Sequence, residues 1–226
     1  QVKTVFWLHR RRYGARRVAA ELNATGDKVG RRLAGTLLKS QSLTAIRPKR
    51  FVPCTTDSKH GLGFSANLLK NGLNAPAGKG EVIVGDIIYL PLRGGKFCYL
   101  ATFQDKYTRR IIGWQVSTRM TAQLVIDAFN RGRKRGLINK NAIIHTDRGS
   151  QYASVEYRRL LFINGLRQSM SGKGNCYDNA QAESFFSRFK AELIEDGIFE
   201  SIEQARTEIF SYIEGYYNRI RRHSSL

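Results

Sequence analysis

Cysteine is scarce and scattered in this chain: Cys54, Cys98 and Cys176 form no C-x-x-C pair. Neither a disulfide framework nor a cysteine-based zinc site is indicated, and a reducing compartment fits. The four histidines (His9, His60, His145, His223) are equally dispersed, which further disfavours zinc. No apolar run approaches membrane-spanning length and no signal peptide is recognisable, so no membrane partner is expected. The chain starts at Gln1 rather than Met, as a fragment would. Acidic residues are the last shortage: 18 Asp+Glu stand against 38 Lys+Arg, giving a net charge of +20.

Such an excess repels itself within a compact fold, and a polyanionic partner is the economical explanation; a solvated basic surface has the same composition. The 42% hydrophobic and 25% charged content is that of a soluble globular protein, and the length allows one sizeable core plus a small accessory domain. The charge is uneven. Residues 1–50 carry thirteen Lys/Arg and two acids, so the first quarter of the chain reads as the more dedicated nucleic-acid surface.

That quarter opens with the basic run His9-Arg10-Arg11-Arg12. Ala15, Val18, Ala19 and Leu22 then follow helical spacing, Ala24–Asp27 breaks it, and Val29, Leu33 and Leu37 resume it. Two short helices about a turn, over residues 1–43, read as a helix-turn-helix-like unit offering Lys28, Arg31 and Arg32 to DNA. Any small helical hairpin with a basic face gives the same pattern. Residues 44–79 hold Pro48, Pro53 and Pro76 among many Gly, Asn, Ser and Thr, and read as a partly extended linker.

From residue 80 to 226 the pattern becomes α/β. Val82–Leu90 is apolar on both alternating faces, as a central strand is. Arg93–Lys96 signals a hairpin turn, Phe97–Phe103 a second strand and Arg110–Val116 a third. Thr121–Arg133 is a helix, Ala142–His145 a strand, and Ser154 caps a helix to Ile163. Leu166–Ser169 is a brief strand and Ser171–Tyr177 a loop. Asp178 or Asn179 caps a helix burying Ala182, Phe185, Phe186, Phe189 and Leu193. Ser201 with Gln204 forms a capping box for the last helix. Three meandering strands, helix, strand, helix, strand and two helices make a ribonuclease-H-like mixed sheet with flanking helices.

Three acids stand out in it. Asp86 interrupts an apolar strand, where an unpaired carboxylate costs several kcal/mol; a cation, a buried Arg or a helix N-terminus would each remove that cost. Asp147 leaves the carboxyl end of its strand, the ligand edge of open α/β sheets, though turn aspartates also bond their own backbone. Glu183 sits early in an amphipathic helix, a position that solvated glutamates also occupy. Together they suit Mg²⁺ or Mn²⁺, hard cations satisfied by few carboxylates plus water and phosphate.

His145-Thr146-Asp147-Arg148-Gly149-Ser150-Gln151-Tyr152 and the run from Ser169 to Phe186 (S-M-S-G-K-G-N-C-Y-D-N-A-Q-A-E-S-F-F) strongly resemble insertion-sequence transposases of the IS-three family, within the retroviral-integrase-like DDE superfamily. Asp147 and Glu183 are separated by 35 residues, the gap that family shows, and Lys190 matches its basic position on the catalytic helix. His9–Arg17 looks like the start of its DNA-binding segment. Gln104–Trp114 and Tyr216–Ser224 also match. Ile83 and Ile88 depart from the Trp and Thr usual around the first acid, and Asp105, a rival for that role, is taken as structural.

The resemblance implies the catalytic, second-reading-frame portion of a transposase. Asp86, Asp147 and Glu183 would be the catalytic acids and would hold two Mg²⁺ ions, with Mn²⁺ as a substitute. Lys190, Arg148 and Lys173, within the Ser171–Asn175 loop, would steady DNA phosphates. Arg10, Arg11, Arg12, Arg16, Arg17, Arg31 and Arg32 would bind the terminal inverted repeat. The partners implied are element-end and target DNA, bound by a homo-oligomer in the cytoplasm at the nucleoid, with affinity falling steeply with salt. A ribonuclease-H-like nuclease or resolvase, or a non-catalytic regulator derived from a transposase, are the competing readings.

Overall fold

The computed structural model describes residues 1–47, 61–172, 180–193 and 198–223. Its centre is a five-stranded sheet in the order β3-β2-β1-β4-β5. These are β1 (Val82–Leu92), β2 (Lys96–Asp105), β3 (Ile111–Ser117), β4 (Ile143–Thr146) and β5 (Arg167–Met170). The first three form an antiparallel meander, while β4 and β5 run parallel to β1. The ribonuclease-H-like layout expected from the order of elements is the one observed. Each strand boundary lies within two residues of its expected place.

Helices cover both faces. Ile83, Ala101, Phe103 and Ile144 pack against α4 (Ala122–Lys134), α5 (Ser150–Ala153) and α6 (Val155–Ile163). On the other face Ile88, Leu90, Cys98, Leu100 and Val116 meet α7 (Ala180–Leu193), α8 (Ile202–Phe210) and its π-helical continuation α9 (Ser211–Tyr217). A sheet covered on both sides explains why β1 is apolar throughout. The approach of α4 to β3 is very close at Gly113, where a Cβ atom would lie 2.1 Å from the Ala128 carbonyl oxygen. Only glycine fits there.

Ser154 and Ser201 cap as expected, accepting the N–H groups of Tyr157 and Gln204. The Gln204 side chain bonds the N–H of Glu200 rather than that of Ser201. The Asp178 or Asn179 cap lies outside the described residues. On α7 the stripe Ala182, Phe185, Phe186 and Phe189 is buried as anticipated.

The N-terminal unit has three helices, not two: α1 (Val2–Leu8), α2 (Ala15–Ala24) and α3 (Arg31–Ser40). Val2 and Phe6, four apart, bury one face of α1, a spacing too short to register as a period. The α3 face also differs from expectation. Ala34 and Leu38 are buried with Leu37 packed beside them, an i, i+3, i+4 stripe, whereas Leu33 is 49% exposed.

Residues 61–79 are less free than a linker. The chain runs beside β5, where Ser65 bonds Gln168, the Leu68 N–H donates to Ser169 Oγ, and Leu69 packs on Val82 and Ile143. Its conformation is irregular, yet it covers the edge of the sheet.

Candidate active site

The register of the parallel pair brings the first two acids together. Val84 of β1 lies opposite His145 of β4. Two residues further along each strand are Asp86 and Asp147, level with one another and on the same face. That face carries α7, and Glu183 in the first turn of α7 is the third acid. The charges on Asp147, Glu183 and Lys190 all act on Asp86. One strand interior, one strand end and one helix thus converge.

The electrostatics of this pocket are those of a buried acidic cluster with Lys190 as a countercharge. Burial, and then the Asp147 carboxylate, push the Asp86 carboxyl well above the usual range. A hydrogen bond of 2.8 Å from the Ile87 N–H pulls it back, Glu183 adds to the rise and Lys190 opposes it. Burial also raises the Glu183 carboxyl and lowers Lys190, the latter offset by Asp86. Asp147 accepts the Gly149 N–H at 3.0 Å, which fixes one of its oxygens. Among the described residues no three His, Cys, Asp or Glu side chains close into a ready-made metal cage. An open set of carboxylates held against their own repulsion fits Mg²⁺ or Mn²⁺, which keep water and substrate oxygens in their shells.

The raised Asp86 carboxyl makes a prediction for the metal-free protein. Folding binds its proton more tightly, so stability is full below the unfolded pKa of about 3.9 and falls as pH rises towards the folded value. Asp86→Asn removes the buried charge. In EDTA at pH 7 its melting temperature is expected to exceed that of the parent by about 3–6 °C. An equal or lower value would show that Asp86 is already compensated.

Asp105, the rival acid, is structural. Its two oxygens accept the N–H groups of Gly80, Tyr107 and Thr108 at 2.5, 2.8 and 2.7 Å, closing the turn after β2. Tyr152 is a neighbour that sequence reasoning quoted only as part of a motif. Its buried hydroxyl has no hydrogen-bond partner among the described residues and lies close enough to feel both Asp86 and Asp147. His145 sits behind Asp147, its Nδ1 2.8 Å from Ser169 Oγ. Ser169 already accepts the Leu68 N–H and so has its own proton to offer that ring.

The basic residues divide. Lys190 is at the acids. Arg148 borders them, with its Nε donating to the Ser171 carbonyl at 2.8 Å and its guanidinium 4.8 Å from the Phe64 ring centroid. Lys173 and most of its loop lie outside the described residues. Arg10, Arg11, Arg16, Arg31 and Arg32 are exposed on the N-terminal unit, as is Lys28. Arg12 and Arg17 are not: both are partly buried, Arg12 over the rings of Tyr212 and Tyr216 of the core and Arg17 over that of Tyr13 in its own unit. Sequence order grouped these two with the exposed arginines; the turn at Arg10 and Arg11 sets Arg12 apart, and helix phase separates Arg17 from Arg16.

Family models described as integrase core domain match residues 76–176 and 164–226, and one described as an HTH-like domain matches residues 1–51. The transposase InsF for insertion sequence IS3A of Escherichia coli (strain K12) is 43% identical over 99% of this chain and 76% of its own length. The transposase for insertion sequence element IS904 of Lactococcus lactis subsp. lactis is 39% identical over all of this chain and 88% of that protein. Among solved structures, a chain of the simian T-cell lymphotropic virus intasome in complex with PP2A regulatory subunit B56 gamma superposes with a TM-score of 0.51. It is 14% identical and covers 99% of this chain and 70% of that one, a likeness of fold. The pairing of an HTH-like unit with an integrase core, and 43% identity in an alignment that spans almost the whole chain, lead to one conclusion: the chain belongs to the IS3 family of insertion-sequence transposases, DDE polynucleotidyl transferases.

Proposed function

We propose that Asp86, Asp147 and Glu183 are the catalytic acids of this transposase and hold its divalent metal, two Mg²⁺ ions with Mn²⁺ as a substitute. The observation that carries the reading is their convergence, with Lys190, just beyond the parallel pairing of β1 with β4. When bound, such ions lower the pKa of an attacking oxygen and neutralise the leaving one. Asp86 and Asp147, fixed by the Ile87 and Gly149 amides, orient the site. Lys190 faces the same pocket and offers its cation to a phosphate. Arg148 is held at the rim by Ser171 and Phe64, and Lys173 belongs to the same DNA-contacting set.

The reaction has two displacements at phosphorus. Water attacks first, and the bond to the 3′ oxygen breaks, leaving a 3′-hydroxyl on the element end. That hydroxyl then attacks a target phosphodiester, one P–O bond forming as another breaks, with no covalent link to protein. Exposed Arg10, Arg11, Arg16, Arg31 and Arg32, with Lys28, form the terminal-repeat surface of a unit spanning 1–43. Residues 44–79 connect it to the core at 80–226. The separate apolar cluster of the N-terminal unit supports this division. The protein works as a homo-oligomer on DNA at the nucleoid. Among the described residues no helix is long and apolar enough to cross a membrane.

A labelled duplex carrying the element end, incubated with the full chain in Mg²⁺ and in EDTA, tests this. Nicked and joined products are expected in Mg²⁺ alone. Cutting without joining would favour a ribonuclease-H-like nuclease, and binding without cutting a regulator.

A further inference from the structure

Arg12 is turned away from the exposed basic face, and what it meets is the helix that carries Glu183, nine residues further along it. The Arg12 guanidinium donates to the Glu192 carbonyl at 3.3 Å and lies 4.4 Å from the Tyr216 ring centroid and 5.3 Å from that of Tyr212. The Glu192 side chain is buried, accepting from Arg221 Nη2 at 2.8 Å and Nε at 3.2 Å and from the Tyr212 hydroxyl at 2.9 Å. Next to Arg12, fully buried Tyr13 donates to the Ile220 carbonyl at 3.3 Å and accepts the Arg222 N–H at 2.8 Å. His9 stacks on Tyr13 with ring centroids 3.7 Å apart, and Arg222 pairs with Glu21.

The backbone strengthens this picture. Arg10 and Arg11 take φ values of 50° and 61°, a left-handed pair that L side chains adopt at a cost. The turn is bonded within its own unit, the Arg10, Arg11 and Ile46 N–H groups donating to the carbonyls of Trp7, Phe6 and Arg11. It delivers Arg12 and Tyr13 to α7 and the segment after α9.

We propose that Arg12 and Tyr13 are positioning residues of the catalytic helix: the N-terminal unit clasps α7 at Glu192 and so fixes where Glu183 stands relative to Asp86 and Asp147. The inference rests on Glu183 being one of the catalytic acids. It assigns Arg12 to catalysis at a distance and removes it from the DNA surface.

Full-length Arg12→Ala, Arg12→Lys and Tyr13→Phe, assayed on the element-end duplex, test it. Arg12→Ala should lower the cleavage rate at saturating DNA by about tenfold or more, since small misplacements of a catalytic group are costly. Amide exchange in residues 186–193 should quicken, and the Kd for the duplex should move less than about threefold. Arg12→Lys, which keeps a cation over Tyr216, should restore most of the rate. Tyr13→Phe deletes only a hydroxyl and should give a smaller change of the same kind in a folded protein. A weakened Kd with unchanged saturated rate and unchanged exchange would return Arg12 to the DNA surface and overturn the clasp. Glu183→Gln separates the two ideas: if that variant cleaves like the parent, the assignment of the acids fails, whatever the exchange data show.

Discussion

Glu183→Gln is expected to lower element-end cleavage and joining by at least about a thousandfold while binding of the same duplex stays within about threefold of the parent. The substitution keeps the size of the side chain and its place on α7. What it removes is one of three negative charges that act together on the same pocket. The buried stripe of α7 (Phe185, Phe186, Phe189) is untouched, so the helix stays docked. On the proposed assignment most of the binding comes from the exposed basic residues of the N-terminal unit, outside this pocket, and should persist with its steep salt dependence. Cleavage near the parental rate would remove Glu183 from the chemistry. Loss of binding together with cleavage would mean that the residue serves the DNA surface or the fold. The measurement is a gel of nicked and joined products at saturating DNA in Mg²⁺, with a binding isotherm alongside.

Arg221→Met should have the largest effect on stability. Arg221 and Glu192 are 3% and 2% exposed and bonded through both guanidinium arms, and the Glu192 oxygens also take the Tyr212 hydroxyl. Removing the cation leaves a carboxylate buried without its counter-charge, a change that costs about 3–5 kcal/mol. For a chain of this length that is a fall of roughly 8–15 °C in melting temperature. The double variant Arg221→Met with Glu192→Gln abolishes both charges and should regain most of the loss, because a buried pair contributes little net stability over neutral packing. Urea unfolding of the parent, both single variants and the double variant closes the cycle. A single variant costing less than about 1 kcal/mol would show that water reaches the pair.

Local pattern carried the core a long way. β1 was legible because burial on both faces forbids polar alternation, and its single carboxylate, Asp86, was legible as the exception. The α7 stripe was legible because aromatic residues at 185, 186 and 189 have one helical interpretation. Asp147 and Glu183 gained specificity from the family resemblance around them, since a turn aspartate and a helical glutamate are commonplace taken alone. The N-terminal unit was read less well. Its first helix is under two turns long, too short for periodicity to register, and the inner face of α3 centres on Ala34, Leu37 and Leu38 rather than on Leu33.

The amino-acid order by itself determined the sheet, its flanking helices, the three acids and the basic excess, because each is a matter of which residues alternate, recur or accumulate along the chain. Tertiary structure alone decided which of the arginines face outward and which are committed inward. Arg10, Arg11 and Arg12 are consecutive and chemically identical, yet the left-handed turn at Arg10 and Arg11 sends Arg12 under Tyr216 and onto Glu192. It also decided that Asp86 carries a proton more readily than an ordinary carboxyl, since that depends first on its burial and then on the parallel register that sets Asp147 beside it. Charge counts and spacings hold no information on either point, because both arise from groups far apart in the chain meeting where water is excluded.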